Sequence, residues 1–377
     1  MTDRPAYAAA GVDVAAGERA VELMRSSVER THAAAQVLTG LGGFASAVAM
    51  PAGMREPVLV SATDGVGTKT AIAAAMRRFD TLGHDLVAMC ADDVVCAGAR
   101  PLFFLDYIAV GRLEPLDVAE LVAGVAAGCE LAGCALVGGE TAEHPGTMGA
   151  GDLDLAGFCV GVAERNELLD GTAALPGDVL VGMAASGLHA NGFSLVRETL
   201  ARHDLSLERP YLEVVQGRLG EAAAARVAAA EPAHLLATLG EVLLTPTRIY
   251  APDVLALRTT LDAAGSPLRG LAHVTGGGLP GNVPRALPAG LGARLEVGSW
   301  TTASIFGLLA ELAGMASREM RATFNGGLGM IAVVPRSGAE IAVDTLAERG
   351  LPAWVVGDVV SVEALEGQRY SEVGGDA

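Results

Sequence analysis

Apolar strand segments and amphipathic helices take turns along the first half of this 377-residue chain, and that alternation constrains the fold more than any other feature. Val58, Leu59 and Val60 run without a polar interruption before the chain breaks into "SATDGVGTKT", as a buried strand does on reaching a loop. Residues 18–32 carry Val21, Met24 and Val28 at helical spacing with charges on the remaining face. "GHDLVAMCADDVVCAGA" predicts a helix with Asp92 and Asp93 in its middle, and "RPLFFLDYIAVG" a strand. A long helix follows in "VAELVAGVAAGCELAG", which Asp117 can cap and Gly133 ends. "ALVGGETAE" and "LDLAGFCVGVAE" read as further strands. After the turn-rich junction "DGTAALPGD" the second half repeats the alternation, with strand "VLVGMAAS", glycine loop "SGLHANG", helix "FSLVRETLAR" and a late strand, "AWVVGDVV". A surface helix is expected within 208–231. The expected fold is α/β in two domains, 1–169 and 170–367, with a frayed tail at 368–377.

Composition narrows the function. A net charge of −18 works against nucleic acid and anionic membrane surfaces as partners. Cys90, Cys96, Cys129, Cys134 and Cys159 are odd in number and form no C-x-x-C pair, so they read as buried free thiols in a reducing compartment. "MTDRPAYAAAGVD" lacks the apolar core of a signal peptide, and no stretch approaches the roughly 20 apolar residues of a membrane span. A cytoplasmic location is expected.

Among 26 basic residues, Lys69 is the one lysine, and it sits in a glycine-rich loop. Gly65 and Gly67 let the backbone approach a ligand, Asp64 can hold a hard cation such as Mg²⁺, and Lys69 offers a compact charge for a phosphate. A plain turn with a chance lysine is the alternative, and the loop is not a Walker A sequence. Asp93, in an apolar helix, is costly unless paired or bound to metal; a solvated helix face is the alternative. Glu140 follows a strand in "VGGETAEHPG", where α/β sheets place ligand sites, though a surface turn fits too. "ASGLHANGFSL" puts Ser186, His189 and Asn191 at a helix start, suited to an anion and to acid–base work. "HVTGGGLPGN" sets Gly276, Gly277 and Gly278 after His273 and Thr275, and three glycines are expensive unless something must come close to the backbone. Together these suggest ATP, Mg²⁺ and a second, phosphorylated ligand.

"D-x-x-x-x-G-A-x-P" at Asp93–Pro101 resembles the signature of the aminoimidazole ribonucleotide synthetase superfamily of ATP-dependent enzymes. "GLGGF", "DGVGTK", "LVGGETAE", "HANGFSLVR", "TPTRIY" and "HVTGGG" are similar to its cyclo-ligase branch, spread over nearly the whole chain. The resemblance implies an α+β-like two-domain enzyme whose N-terminal sheet joins a second copy in a barrel-like homodimer interface, beside a C-terminal α/β domain. It implies ATP-dependent ring closure of formylglycinamidine ribonucleotide to 5-aminoimidazole ribonucleotide, a small-molecule phosphorylated substrate. ATP and Mg²⁺ contacts carry over to Asp64, Lys69, Asp93 and Glu140, and a flap over the nucleotide to Gly42 and Gly43. His189 and Asn191, with His273, become candidates for substrate handling and proton transfer; Ser186 and Gly276–Gly278 become candidates for the ribose phosphate. Asp92 stands where the pattern has Asn, and Gly326 where it has Cys. Sister enzymes with an N-terminal or C-terminal reactive cysteine fit less well, because the first 89 residues contain no cysteine and the chain ends "VGGDA". A thiamine phosphate kinase or a non-catalytic nucleotide sensor remain as rivals.

Overall fold

A computed structural model describes residues 14–374; the segment 1–13, read above for a signal peptide, and residues 375–377 of the expected tail lie outside the described residues. The chain divides into two compact units, one running to Val94 and from Ala99 to Asn166, the other made of Val95–Gly98 and the residues from Glu167 on.

The first unit holds helices α1 (Val14–Thr31), α2 (Lys69–Met76), α3 (Asp80–Cys96) and α4 (Pro115–Ala132), and strands β1 (Pro57–Gly65), β2 (Arg100–Val110), β3 (Ala135–Glu143) and β4 (Leu153–Glu164). The strands form one sheet in the order β1-β4-β2-β3. β4 is antiparallel to both β1 and β2, while β2 and β3 are parallel, a connection that needs the crossover helix α4. Asp117 does not cap α4: Glu114 is the N-cap residue with Pro115 at the first turn, and Asp117 instead binds Arg77 at 3.1 Å. Gly133, at φ 73°, ends the helix as expected.

One face of this sheet lies on the helices. A Cβ at Gly157 would meet Phe104, Cys90 and Leu86, so glycine there lets α3 approach closely. The opposite face leaves Leu59 58%, Tyr107 41% and Phe158 39% exposed. Within one chain the sheet is open, with β1 and β3 as edges, so the barrel-like arrangement is not closed here.

The second unit is built on a six-stranded sheet of β5 (Val179–Ala184), β6 (Gly270–His273), β7 (Leu291–Glu296), β8 (Leu328–Val334), β9 (Ala353–Ser361) and β10 (Tyr370–Val373), in the order β10-β7-β9-β5-β8-β6. Its core gathers Leu180, Val283, Trp300, Ile331 and Val356. The polar stretch 208–231 forms two helices, Tyr211–Leu219 and Glu221–Ala230, parted by Gly220 at φ 85°. The tail expectation is corrected: Tyr370–Val373 pairs in parallel with β7, Tyr370 is buried, and Arg369 donates to the carbonyls of Pro284, Leu287 and Pro288. All five cysteines are free, four of them buried. No described helix is long and apolar enough to cross a membrane.

Candidate active site

The glycine-rich loop around Lys69 resolves into three different roles. Gly67 takes a left-handed turn at φ 65°, and Thr70 closes it by donating to the Gly67 carbonyl at 3.0 Å. Gly65 remains in β1, where a Cβ would stand 2.8 Å from the Leu155 carbonyl, and its N–H donates to Asp64 Oδ1 at 2.7 Å. Lys69 turns inward. Its side chain is wholly buried, and Nζ meets Asp85 Oδ1 at 2.9 Å and Oδ2 at 2.8 Å. Burial pulls its pKa down, and the Asp85 charge and hydrogen bond oppose that pull. The expectation that Lys69 meets a phosphate is therefore corrected: its ammonium ties the start of α2 to α3.

Asp64 and Asp93 come together around Cys90. The Cys90 thiol lies 3.9 Å from the Asp64 carbonyl oxygen, and its pKa is pushed up chiefly by burial, with the charges of Cys159, Asp64 and Asp93 adding to it. Asp92, not Asp93, is the fully buried member of the acidic pair; Asp93 is half-buried. Glu140 does not join them. Asp64 pairs with Gly157, Gly157 with Asp106 and Asp106 with Gly139, one row across all four strands. Asp64 is thus three strand spacings, about 14 Å, from the Gly139 position. Glu140 also points to the other face, because successive strand residues alternate. Glu140 thus stands apart from Asp64 and Asp93, and among the described residues no group of three or more His, Cys, Asp and Glu is placed to hold a metal ion. Two carboxylates still suit Mg²⁺, which takes its remaining ligands from water and phosphate oxygens.

Glu140 instead borders a cavity of about 490 Å³ that Gly42, Gly43, Ser46 and Asp106 also line. Asp106 was not singled out in the sequence, although it is the one charge inside "FFLDYI" and that interruption is visible. Its Oδ2 is buried with no hydrogen-bond partner among the described residues, and burial pushes the carboxyl up to about 7.

In the second unit β5 and β6 are both antiparallel to β8, so their C-terminal ends lie at the same edge. The loops that follow them bring the remaining expected residues together. Asn325 donates to the Gly187 carbonyl at 2.9 Å and accepts from Gly327 N–H at 2.8 Å. Asn191 lies beside Gly276, and its Oδ1 is buried without a partner among the described residues. His189 holds φ 64°, is 2% exposed, and its Nε2 accepts from Ser186 N–H at 3.2 Å. Ser186 spends its hydroxyl on the fold, donating to the Pro246 carbonyl at 2.7 Å and accepting from Arg248 N–H at 3.1 Å. His273 is buried at the end of β6. Asn282, overlooked in the sequence, pins the glycine loop by donating to the carbonyls of Thr275, Gly276 and Gly278. Gly278 (φ 58°) is obligatory, since a Cβ would strike the Arg321 and Phe324 carbonyls.

Known proteins resemble this chain in sequence and in fold. Residues 43–163 match the AIR synthase related protein, N-terminal domain, and residues 176–368 match the AIR synthase related protein, C-terminal domain. The chain belongs to the AIR synthase related family. Its curated relatives include the phosphoribosylformylglycinamidine cyclo-ligase of Sorangium cellulosum, 50% identical over 94% of this chain and 95% of the relative. The enzyme of that name from Gloeobacter violaceus is 48% identical over 95% and 98%. Among solved structures, the thiamine-monophosphate kinase of Stenotrophomonas maltophilia superposes with a TM-score of 0.60 over 93% of this chain and 96% of that one, at 17% identity, a likeness of fold.

Proposed function

We infer that this chain closes the imidazole ring of 5-aminoimidazole ribonucleotide, using ATP on formylglycinamidine ribonucleotide in purine biosynthesis. The observation that carries the reading is the likeness to cyclo-ligases over about 95% of the chain at up to 50% identity. The formyl amide oxygen attacks the γ-phosphorus of ATP and ADP leaves. The amidine nitrogen then adds to the formyl carbon and loses a proton, and the C–O bond breaks to release inorganic phosphate. Such chemistry asks the protein for positioning and charge neutralisation more than for covalent help.

Asp64 and Asp93 would hold Mg²⁺, which supplies charge neutralisation at the ATP phosphates. Gly42 and Gly43 cover the nucleotide beside Glu140. The Gly276–Gly278 loop receives the ribose phosphate through backbone N–H groups. Asn191, whose buried carbonyl oxygen has no partner among the described residues, orients the amidine, and His189 and His273 flank it as proton carriers. Ser186 supports His189 through its N–H and meets no ligand with its hydroxyl. The open face of the first sheet, with Leu59, Tyr107 and Phe158, joins a second copy in a homodimer. The enzyme works in the cytoplasm.

A coupled assay with formylglycinamidine ribonucleotide, ATP and Mg²⁺ tests this reading. ADP and aminoimidazole ribonucleotide should appear in equal amounts and depend on both substrates. ADP without the imidazole product would point to another phosphoryl acceptor, and neither product from folded protein would leave the nucleotide-sensing reading.

A further inference from the structure

Asn282 does more than pin the glycine loop. Its amide nitrogen donates to the carbonyls of Thr275, Gly276 and Gly278, while its Oδ1 accepts from Arg285 Nη1 at 3.0 Å. Asn282 is 2% exposed, so loop and guanidinium are linked through a buried amide. Arg285 itself is exposed and makes no ion pair among the described residues. Its neighbours are spent. Arg321, whose backbone carbonyl blocks a Cβ at Gly278, holds Glu372 at 2.7 Å. Arg369 gives its guanidinium to the carbonyls of Pro284, Leu287 and Pro288, which fixes the turn Val283–Ala286 that carries Arg285. A Cβ at Gly270 would stand 2.6 Å from the Ala286 carbonyl oxygen, so that turn also rests on β6, the strand leading into the glycine loop. Side chain and backbone thus both hold Arg285 beside the loop, with most of its N–H donors unused.

We propose that Arg285 binds the ribose phosphate of the ribonucleotide substrate, its guanidinium fork meeting the phosphate oxygens beside the exposed Gly276 and Gly277. The inference rests on the cyclo-ligase reading above and adds the cation that the glycine loop itself lacks. A chain of net charge −18 repels a phosphate dianion, and backbone N–H groups carry no net charge to offset that. A guanidinium does, and its planar fork matches two phosphate oxygens at once. Arg321 shows the other use of an arginine here, closed on a carboxylate inside the fold; Arg285 is placed as firmly but left open to a ligand.

Calorimetry on the whole chain compares formylglycinamidine ribonucleotide with its dephosphorylated riboside, in the wild type and in Arg285→Gln and Arg285→Lys. The wild type should bind the riboside at least on the order of tenfold more weakly than the ribonucleotide. Arg285→Gln should lose on the order of tenfold in ribonucleotide affinity and bind the riboside as the wild type does. Arg285→Lys, which keeps the charge without the fork, should recover part of the loss. In turnover Arg285→Gln should raise the ribonucleotide KM and leave kcat and the ATP KM alone, because the contact is the same in ground and transition states. Equal binding of ribonucleotide and riboside by the wild type overturns the proposal, even if neither variant folds. So does Arg285→Gln with the preference intact, or with riboside affinity lost as well, which would make the side chain a mere support of the loop. A rise in the ATP KM alone would give the guanidinium to the nucleotide phosphates and overturn it too. Ring closure by a wild type indifferent to the ribose phosphate would sink this inference and leave the cyclo-ligase reading; phosphate-dependent binding without ring closure would do the reverse.

Discussion

The two sheets of this chain solve burial differently. Strand β8 in the second unit is buried at every residue from Leu328 to Val334, with the uninterrupted apolar sequence of a strand covered on both faces. Strand β1 in the first unit alternates, and its neighbours expose Tyr107 and Phe158 on the same open side. The first sheet is a half-finished layer, and the second is complete within its own unit. Mutations in the two sheets should therefore report on different things: folding in the second unit, assembly in the first.

The largest effect should come from the buried ion pair. Lys69→Met removes the ammonium from a fully buried ion pair with Asp85, which should cost about 3–5 kcal/mol, read as a lower denaturation midpoint. An undiminished midpoint would mean that the pair contributes nothing to the first unit. Ile331→Ala, at a position with 0% exposure in β8, should cost about 2–5 kcal/mol through the cavity it leaves. In contrast, Phe158→Arg on the open face should leave the folded monomer nearly as stable, within about 0.5 kcal/mol, while sedimentation shows a dimer giving way to monomer. Persistence of the dimer would move the interface elsewhere.

A smaller effect separates the units by pH. Burial raises the Asp106 carboxyl from 3.8 to about 7, so across that window the folded chain keeps a proton that the unfolded chain has released. Its contribution to stability is then greatest at low pH, falls as pH rises towards 7 and stays low above it. Glu18, Glu140 and Glu143 border the same cavity. Asp106→Asn should flatten this part of the stability profile in urea titrations between pH 4 and 8; an unaltered slope would show that Asp106 does not carry the pH dependence.

Much of this was legible because an apolar run such as the "VLVGMA" of β5 can satisfy itself only as a buried strand, although Val58–Val60, read the same way, form an edge strand that leaves Leu59 58% exposed. The loop glycines were legible too, since Gly278 has no room for a Cβ. What failed was pairing at a distance. No local pattern shows that Lys69 turns to Asp85 sixteen residues later, or that Asn282 folds back on Thr275. Face parity was equally hidden: Asp64 lies in the row of Gly157, Asp106 and Gly139, while Glu140 falls one residue beyond that row. The short strand Tyr370–Val373 escaped because four residues carry no period of their own, and only β7 gives them a partner.

The central claim is that ATP activates the formyl amide oxygen for ring closure, and following that oxygen tests it most directly. Formylglycinamidine ribonucleotide labelled with ¹⁸O at the formyl group should, with ATP and Mg²⁺, yield inorganic phosphate carrying the label. The unlabelled imidazole product should appear in equal amount. Phosphate free of label alongside ring closure would contradict the account, because the oxygen would then have left without ever being joined to phosphorus.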